Sequence, residues 1–172
     1  MRILGLDPGS QHTGYGVVEK RGSRLLALGQ GRISPPRKAP LPQRLAFLAR
    51  ELRTLVHRHE PEVAVLESLF HGINPRSLIV LAQARGVLLA TLSGEGLEIV
   101  EYSPSEIKQA VTGYGRADKE QVGRMVRQIL GLGAGPLPSD ASDALAASIC
   151  AAQRWRWERL ESLAEARRKA GK

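Results

Sequence analysis

The chain has 172 residues, of which 42% are hydrophobic and 24% charged, a balance typical of one folded domain rather than of a disordered chain. Its Lys and Arg residues (25) exceed its Asp and Glu residues (17), and the net charge of +8 favours a polyanionic partner such as nucleic acid. The single cysteine, Cys150, excludes an intramolecular disulfide, and the most apolar stretch is too short to span a membrane. We therefore expect a cytoplasmic protein with no membrane partner.

Three strand-like segments come first in the chain, at residues 2–7, 13–20 and 24–33. Short turns that contain glycine join them, which predicts antiparallel hairpins. The first segment is apolar on both faces, yet it ends on a carboxylate, Asp7, just before a Pro-Gly turn. Ordinary turn chemistry explains such an aspartate equally well, because its side chain accepts hydrogen bonds from the amides of the turn.

Helices and strands alternate in the middle of the chain, after a proline-rich basic connector. Leucines recur at helical spacing over residues 44–59, and a short buried strand within 62–68 ends at Glu67. A second helix, residues 76–93, is apolar on nearly every side, so we expect every side of it to be covered. The fifth strand follows at 97–102.

Three more helices are predicted in the last third of the chain. The first begins at a Ser-Pro cap and occupies residues 103–113, and the others occupy 119–130 and 139–155. Residues 156–172 are mostly charged and are predicted to form either a solvated helix end or a frayed tail. The folded domain is therefore expected to comprise residues 1–155.

This order of elements predicts an α/β fold with a five-stranded mixed sheet flanked by helices. The first three strands form an antiparallel meander, and right-handed crossovers place the fourth and fifth strands parallel to the first. The first and fourth strands then become neighbours, and their carboxyl ends lie where open α/β sheets bind ligands. Asp7 and Glu67 end these two strands.

Two further acids, Asp140 and Asp143, share one face of the first turn of the last helix. Each acid alone has a structural explanation, since acids are favoured at helix N termini. Four carboxylates at one sheet edge, however, repel one another unless a multivalent cation joins them, and oxygen ligands favour Mg²⁺ or Mn²⁺. In a basic protein this cluster predicts two-metal hydrolysis of phosphodiesters. Lys108 and Lys119 are candidates for charge stabilisation beside it.

Several separated blocks closely resemble the bacterial RuvC family of Holliday-junction resolvases, in the family's own order. The blocks are GLDPGSQHTGYGVV, ESLFHGINPRSLIVLAQARGVLLA, YSPSEIKQAVTGYGRADKEQV and PSDASDALAASI. Over about residues 1–155 the resemblance implies an RNase H-like fold. It implies a homodimer that acts in DNA recombination and repair by making two symmetric, Mg²⁺-dependent nicks in a four-way DNA junction. It also suggests that a branch-migration motor docks on the protein.

The resemblance assigns roles to individual residues. The catalytic carboxylates, which hold two ions per site, are Asp7, Glu67, Asp140 and Asp143, and the active-site lysines are Lys108 and Lys119. The expected contacts with DNA are Phe70, which stacks at the junction centre, together with Arg76, Tyr114 and Arg116. The second helix matches the dimerisation helix, with interface residues Leu78, Leu81, Ala82, Arg85, Gly86 and Leu89.

Other functions stay open at this point. The string LDPGSQHTG also resembles the phosphate-binding hairpin of actin-like nucleotide-binding proteins, but these need a second domain, for which 172 residues leave no room. A different RNase H-like nuclease acting on RNA is another alternative. A DNA-binding module without catalysis is disfavoured, because such a surface gains nothing from four acids.

Overall fold

The computed structural model describes residues 1–9, 11–68 and 75–170, excluding the side chains of 75–77 and 156–170. The strands in this part of the chain are β1 (Arg2–Pro8), β2 (Thr13–Arg21), β3 (Arg24–Ile33), β4 (Val63–Glu67) and β5 (Glu98–Tyr102). They form one mixed sheet in the order β3-β2-β1-β4-β5. The pairs β1–β2 and β2–β3 are antiparallel, and the pairs β1–β4 and β4–β5 are parallel. The predicted topology is therefore confirmed.

The helices are α1 (Leu41–His59), α2 (Pro75–Gly94), α3 (Pro104–Thr112), α4 (Lys119–Leu130) and α5 (Ser139–Ala170). Helices α3 and α4 begin with capping boxes, formed by Ser103 with Glu106 and by Asp118 with Gln121. Helix α5 continues without a break to Ala170, so the backbone of the predicted tail is helical as far as that residue. The division of the chain at residue 155 stays a prediction.

The alternation of side chains along the strands gives the sheet two apolar faces. Ile3, Val63 and Val65 face α3, α4 and α5, where they form one buried cluster. Leu4 and Leu66 face the other way, against α1 and α2. Because residues two apart in a strand share a face, Asp7 and Glu67 project toward the side covered by α5.

Glycines allow α5 to lie very close to the sheet. A Cβ atom on Gly5 would overlap the Ala144 carbonyl, and one on Gly14 would overlap the Asp140 carbonyl. The Ser148 hydroxyl also donates a hydrogen bond of 2.9 Å to the Gly16 carbonyl. The first turn of α5 therefore lies close to the carboxyl end of β1.

Cys150 and Trp155 both lie on the side of the sheet that α5 covers. Cys150 is a free thiol that is fully buried in the core. Trp155 packs against the same core, and its indole N–H donates to Glu98 at 2.8 Å. Among the described residues, no helix has the length and apolarity needed to cross a membrane.

Candidate active site

The carboxyl ends of β1 and β4 lie side by side, because Leu6 pairs with Leu66 in parallel register and the acids come directly after them. Helix α5 brings Asp143 to the same place. Asp7, Glu67 and Asp143 line one cavity of about 240 Å³ together with Lys108 and Lys119. Five of the six predicted catalytic side chains are thus gathered by strands and helices from distant parts of the chain.

Asp7 is the most perturbed acid in this cavity. Its pKa is raised from the ordinary 3.8 to about 7, chiefly by burial. The negative charges of Asp143, Glu67 and Asp140 also raise the pKa, in that order, and the charge of Lys119 lowers it. All three other predicted carboxylates therefore lie close enough to Asp7 for their charges to raise its pKa.

Glu67 is perturbed in the same direction. Burial raises its pKa above the usual range, and the charge of Asp143 adds to this effect. The charges of Lys119, Lys108 and Arg85 oppose the rise. The cavity therefore combines mutually repelling acids with cations that partly compensate them.

Lys119 is the first residue of α4, and the Asp118 capping box fixes where that helix begins. Its Nζ lies 3.1 Å from Oδ2 of Asp143. This hydrogen bond and the Asp143 charge raise the pKa of Lys119 above its usual value. Lys119 is consequently an ammonium ion at neutral pH, and it holds the Asp143 carboxylate.

Asp140 is held differently from the other three acids. In the described part of the chain it stands outside the cavity, and its Oδ2 lies 2.9 Å from Nε of Arg32 on β3. The Ser139 hydroxyl donates to its Oδ1 at 3.1 Å. Arg32 was not among the predicted site residues, because its proximity depends on the strand register: Gly14 pairs with Asp7 on one side and with Arg32 on the other.

The donor set suits a hard divalent cation, since it consists of carboxylate oxygens that repel one another. The carboxylates do not, however, converge on one ion position. Among the described residues, no three His, Cys, Asp or Glu side chains are arranged to hold an ion. Asp143 and Asp140 bind Lys119 and Arg32 instead. An incoming cation therefore competes with these two side chains for carboxylates.

The predicted DNA contacts are only partly described. Phe70 lies outside the described residues, and so does the side chain of Arg76. Tyr114 is 58% exposed and Arg116 is exposed, both on the loop between α3 and α4. This loop joins the two helices that supply the cavity lysines.

Helix α2 buries one face inside the subunit and exposes the other, so the single chain covers only one side of it, and the predicted cover of the other side stays a prediction. Leu78 and Ile79 are 39% and 60% exposed, and Ala82 and Gly86 are also exposed. The other predicted interface leucines, Leu81 and Leu89, are half-buried.

Arg85 corrects the predicted interface, because it is 6% exposed and points into the subunit rather than toward a partner. Its Nη1 donates to the Glu67 carbonyl oxygen at 2.7 Å, and its Nη2 lies 2.7 Å from a carboxylate oxygen of Glu101. The sequence does not predict these contacts, because they depend on which strands α2 packs against.

Comparison with known proteins gives a consistent result. Residues 3–151 match the family described as "Crossover junction endodeoxyribonuclease RuvC". A protein of that name from Syntrophomonas wolfei is 43% identical over 150 residues, which are 87% of each chain. Another from Alkalilimnicola ehrlichii is 50% identical over 149 residues, covering 87% of this chain and 89% of the relative.

Solved structures agree with the sequence comparison. The Thermus thermophilus RuvC structure superposes with a TM-score of 0.83 at 32% identity, covering 92% of this chain and 97% of that one. T. thermophilus RuvC in complex with Holliday junction substrate gives the same TM-score at 33% identity, covering 88% and 93% of the two chains. The predicted RNase H-like fold is confirmed by this match.

Proposed function

The chain belongs to the crossover junction endodeoxyribonuclease RuvC family, and we propose that its carboxylate cavity cuts two strands of like polarity in a four-way DNA junction. Membership makes it a metal-dependent nuclease of DNA recombination and repair. The relatives lend no support to an RNA-directed nuclease or an actin-like nucleotide-binding protein. The observation that carries the proposal is the single cavity lined by Asp7, Glu67, Asp143, Lys108 and Lys119.

The carboxylates of this cavity would hold Mg²⁺, for which Mn²⁺ would substitute, with two ions per site. Asp7, Glu67 and Asp143 provide oxygens inside the cavity, and Asp140 provides more once it leaves Arg32. When bound, two such ions supply an activated water and stabilise the leaving oxygen of the phosphodiester. The raised pKa of Asp7 supports this assignment, because a bound cation offsets both the burial and the repulsion that keep a proton on that carboxyl.

The two lysines have a separate task. Lys108 and Lys119 bring positive charge into the same cavity as the acids. Phosphodiester hydrolysis builds up negative charge on the phosphoryl oxygens in the transition state, and fixed ammonium groups stabilise it there. Lys119 also holds the Asp143 carboxylate in place, because its ammonium donates a hydrogen bond of 3.1 Å to that group.

Two cuts require two sites, and we place the second on another copy of this chain. The exposed apolar face of α2, made of Leu78, Ile79, Ala82 and Gly86, is suited to a symmetric interface, since Gly86 has no side chain to keep the helices apart. Such a dimer presents two equivalent cavities to the two equivalent strands of a junction. The T. thermophilus relative that was solved with Holliday junction substrate supports this choice of DNA.

The remaining assignments rest on the same family membership. Phe70, Arg76, Tyr114 and Arg116 contact the junction, and the net charge of +8 supports binding to its phosphates. We extend the proposal to a branch-migration motor as a partner and to the cytoplasm as the location. The free Cys150 thiol is consistent with a reducing compartment.

The direct test is cleavage of a synthetic four-way junction in Mg²⁺, with linear duplex of the same sequence as the negative substrate. We expect symmetric nicks in the junction and an intact duplex. Asp7→Asn should abolish cutting while junction binding, measured in EDTA, is retained, and Glu51→Gln is the matched control because it removes a carboxylate on α1. Normal cutting by the Asp7 variant would overturn the site assignment.

A further inference from the structure

Arg85 is a charged side chain buried almost completely inside the subunit. Its exposure is 6%, and it lies on α2 beside Ala84, which packs into the core between α2 and the sheet. Burying a guanidinium costs free energy, which its hydrogen bonds and ion pairs offset. The partners of Arg85 therefore indicate what the residue does.

Those partners lie at the carboxyl ends of two strands. Nη1 of Arg85 donates to the Glu67 carbonyl oxygen on β4 at 2.7 Å, and Nη2 forms an ion pair of 2.7 Å with Glu101 on β5. The next residue, Ser68, donates its backbone N–H to the Tyr102 carbonyl at 2.8 Å. One guanidinium thus joins α2 to the carboxyl ends of β4 and β5.

The residue held in this way is the one that carries a cavity carboxylate. A main-chain carbonyl fixed in space limits rotation of its own peptide, and with it the direction in which the Glu67 side chain leaves the strand. The Arg85 side chain contacts the main-chain carbonyl of Glu67, whereas the Arg32 side chain contacts an oxygen of the Asp140 carboxylate itself. Arg85 therefore orients Glu67 without competing for the oxygens that a cation needs.

We propose that Arg85 is a positioning residue that fixes the end of β4 and thereby holds the Glu67 carboxylate in place for a divalent cation. The inference rests on the proposed function, because it takes Glu67 as a cation ligand. Groups that hold metal ligands in place commonly change metal affinity by about 10- to 100-fold. A purely structural role would instead lower the thermal midpoint and leave cation affinity unchanged well below that midpoint.

The experiment is calorimetric titration of the full-length protein with Mn²⁺, without DNA, at a temperature where every variant is folded by circular dichroism. Arg85→Met should bind Mn²⁺ about 10-fold more weakly than wild type. Arg85→Lys should give an intermediate loss, because an ammonium keeps the charge but not the two-pronged geometry. Arg53→Met is the matched control: it removes an exposed arginine, paired with Glu95 on the surface, and should leave affinity unchanged.

The outcomes separate this inference from the proposed function. If Arg85→Met binds Mn²⁺ as tightly as wild type, the role of Arg85 is overturned. Should that variant fail to fold, wild-type affinity in Arg85→Lys overturns it instead. If wild type binds no Mn²⁺, or Glu67→Gln binds it as well as wild type does, the proposed metal site is overturned and Arg85 has no ligand to position.

Discussion

Arg32 Nε lies 2.9 Å from Oδ2 of Asp140, which ties the edge strand β3 to the first turn of α5. Gly14 stands between Arg32 and Asp7 in the same cross-strand row, so the backbone of Asp140 rests over a position with no side chain. Arginine and aspartate are 38% and 29% exposed at their side chains. The pair is therefore open to solvent and to an incoming ion.

Arg32→Gln should tighten Mn²⁺ binding several-fold, because the guanidinium no longer competes for Asp140. Its cost in the free energy of unfolding should stay below about 1 kcal/mol, as for other solvent-exposed ion pairs. Titration calorimetry and urea unfolding measure the two quantities. Arg24→Gln removes the same charge from the far end of β3, about 26 Å away along the strand, and should leave the affinity as it is. Weaker Mn²⁺ binding in Arg32→Gln would show that Arg32 supports the site instead of competing for it.

The pH dependence of stability follows from the raised pKa of Asp7. The folded protein holds a proton on Asp7 up to about pH 7, whereas the unfolded chain releases it near its ordinary pKa of 3.8. Between these values the folded state binds more protons, so the free energy of unfolding falls as pH rises and levels off above about pH 7. Urea unfolding in EDTA across this range measures the slope.

Asp7→Asn is the control for this slope. The variant should lose most of the decline with pH, and the raised pKa of Glu67 contributes to the part that remains. Adding Mg²⁺ to wild type should stabilise it more at high pH than at low pH, because carboxylates bind cations in their deprotonated form. A wild-type profile that rises from pH 4 to pH 7 in EDTA would contradict the electrostatic account of the cavity.

Ala82→Glu should convert a dimer to monomers, since it places a charge on the exposed apolar face of α2. Burying this carboxylate between two apolar helices would cost several kcal/mol without a partner. Sedimentation velocity measures the assembly state. Gln153→Glu adds the same charge at an exposed position on α5 and should not alter it. An unchanged profile in Ala82→Glu would remove this face from the interface.

Arg116→Ala should weaken junction binding to a similar extent for every junction sequence. The exposed side chain lies on the loop between α3 and α4 and is proposed to contact phosphate rather than bases. The loss of one phosphate contact should reduce the salt slope of log affinity by about 1. Binding titrations at several salt concentrations measure this slope, and Arg53→Ala serves as the control on α1. An identical slope in both variants would exclude Arg116 as a phosphate contact.

The sequence by itself determined the order and type of the elements. Strand and helix periods are local properties, and short glycine turns and Ser or Asp caps mark where elements end, so β1 to β5 and the helices were predictable. The adjacency of Asp7 and Glu67 followed as well, because right-handed crossovers leave few places for β4. The order of the elements along the chain was enough to predict a cluster of acids at one sheet edge.

Only the tertiary structure decided which groups hold those acids. Arg32 reaches Asp140, and Arg85 reaches the Glu67 carbonyl, across contacts set by strand register and by the docking of a helix. Neither is visible in a local pattern. Helix α2 illustrates the same point, since its apolar residues surround it and only packing shows that Ile79 faces solvent while Leu88 is buried. Local periodicity specifies an element, but the environment of a side chain depends on residues far away in the chain.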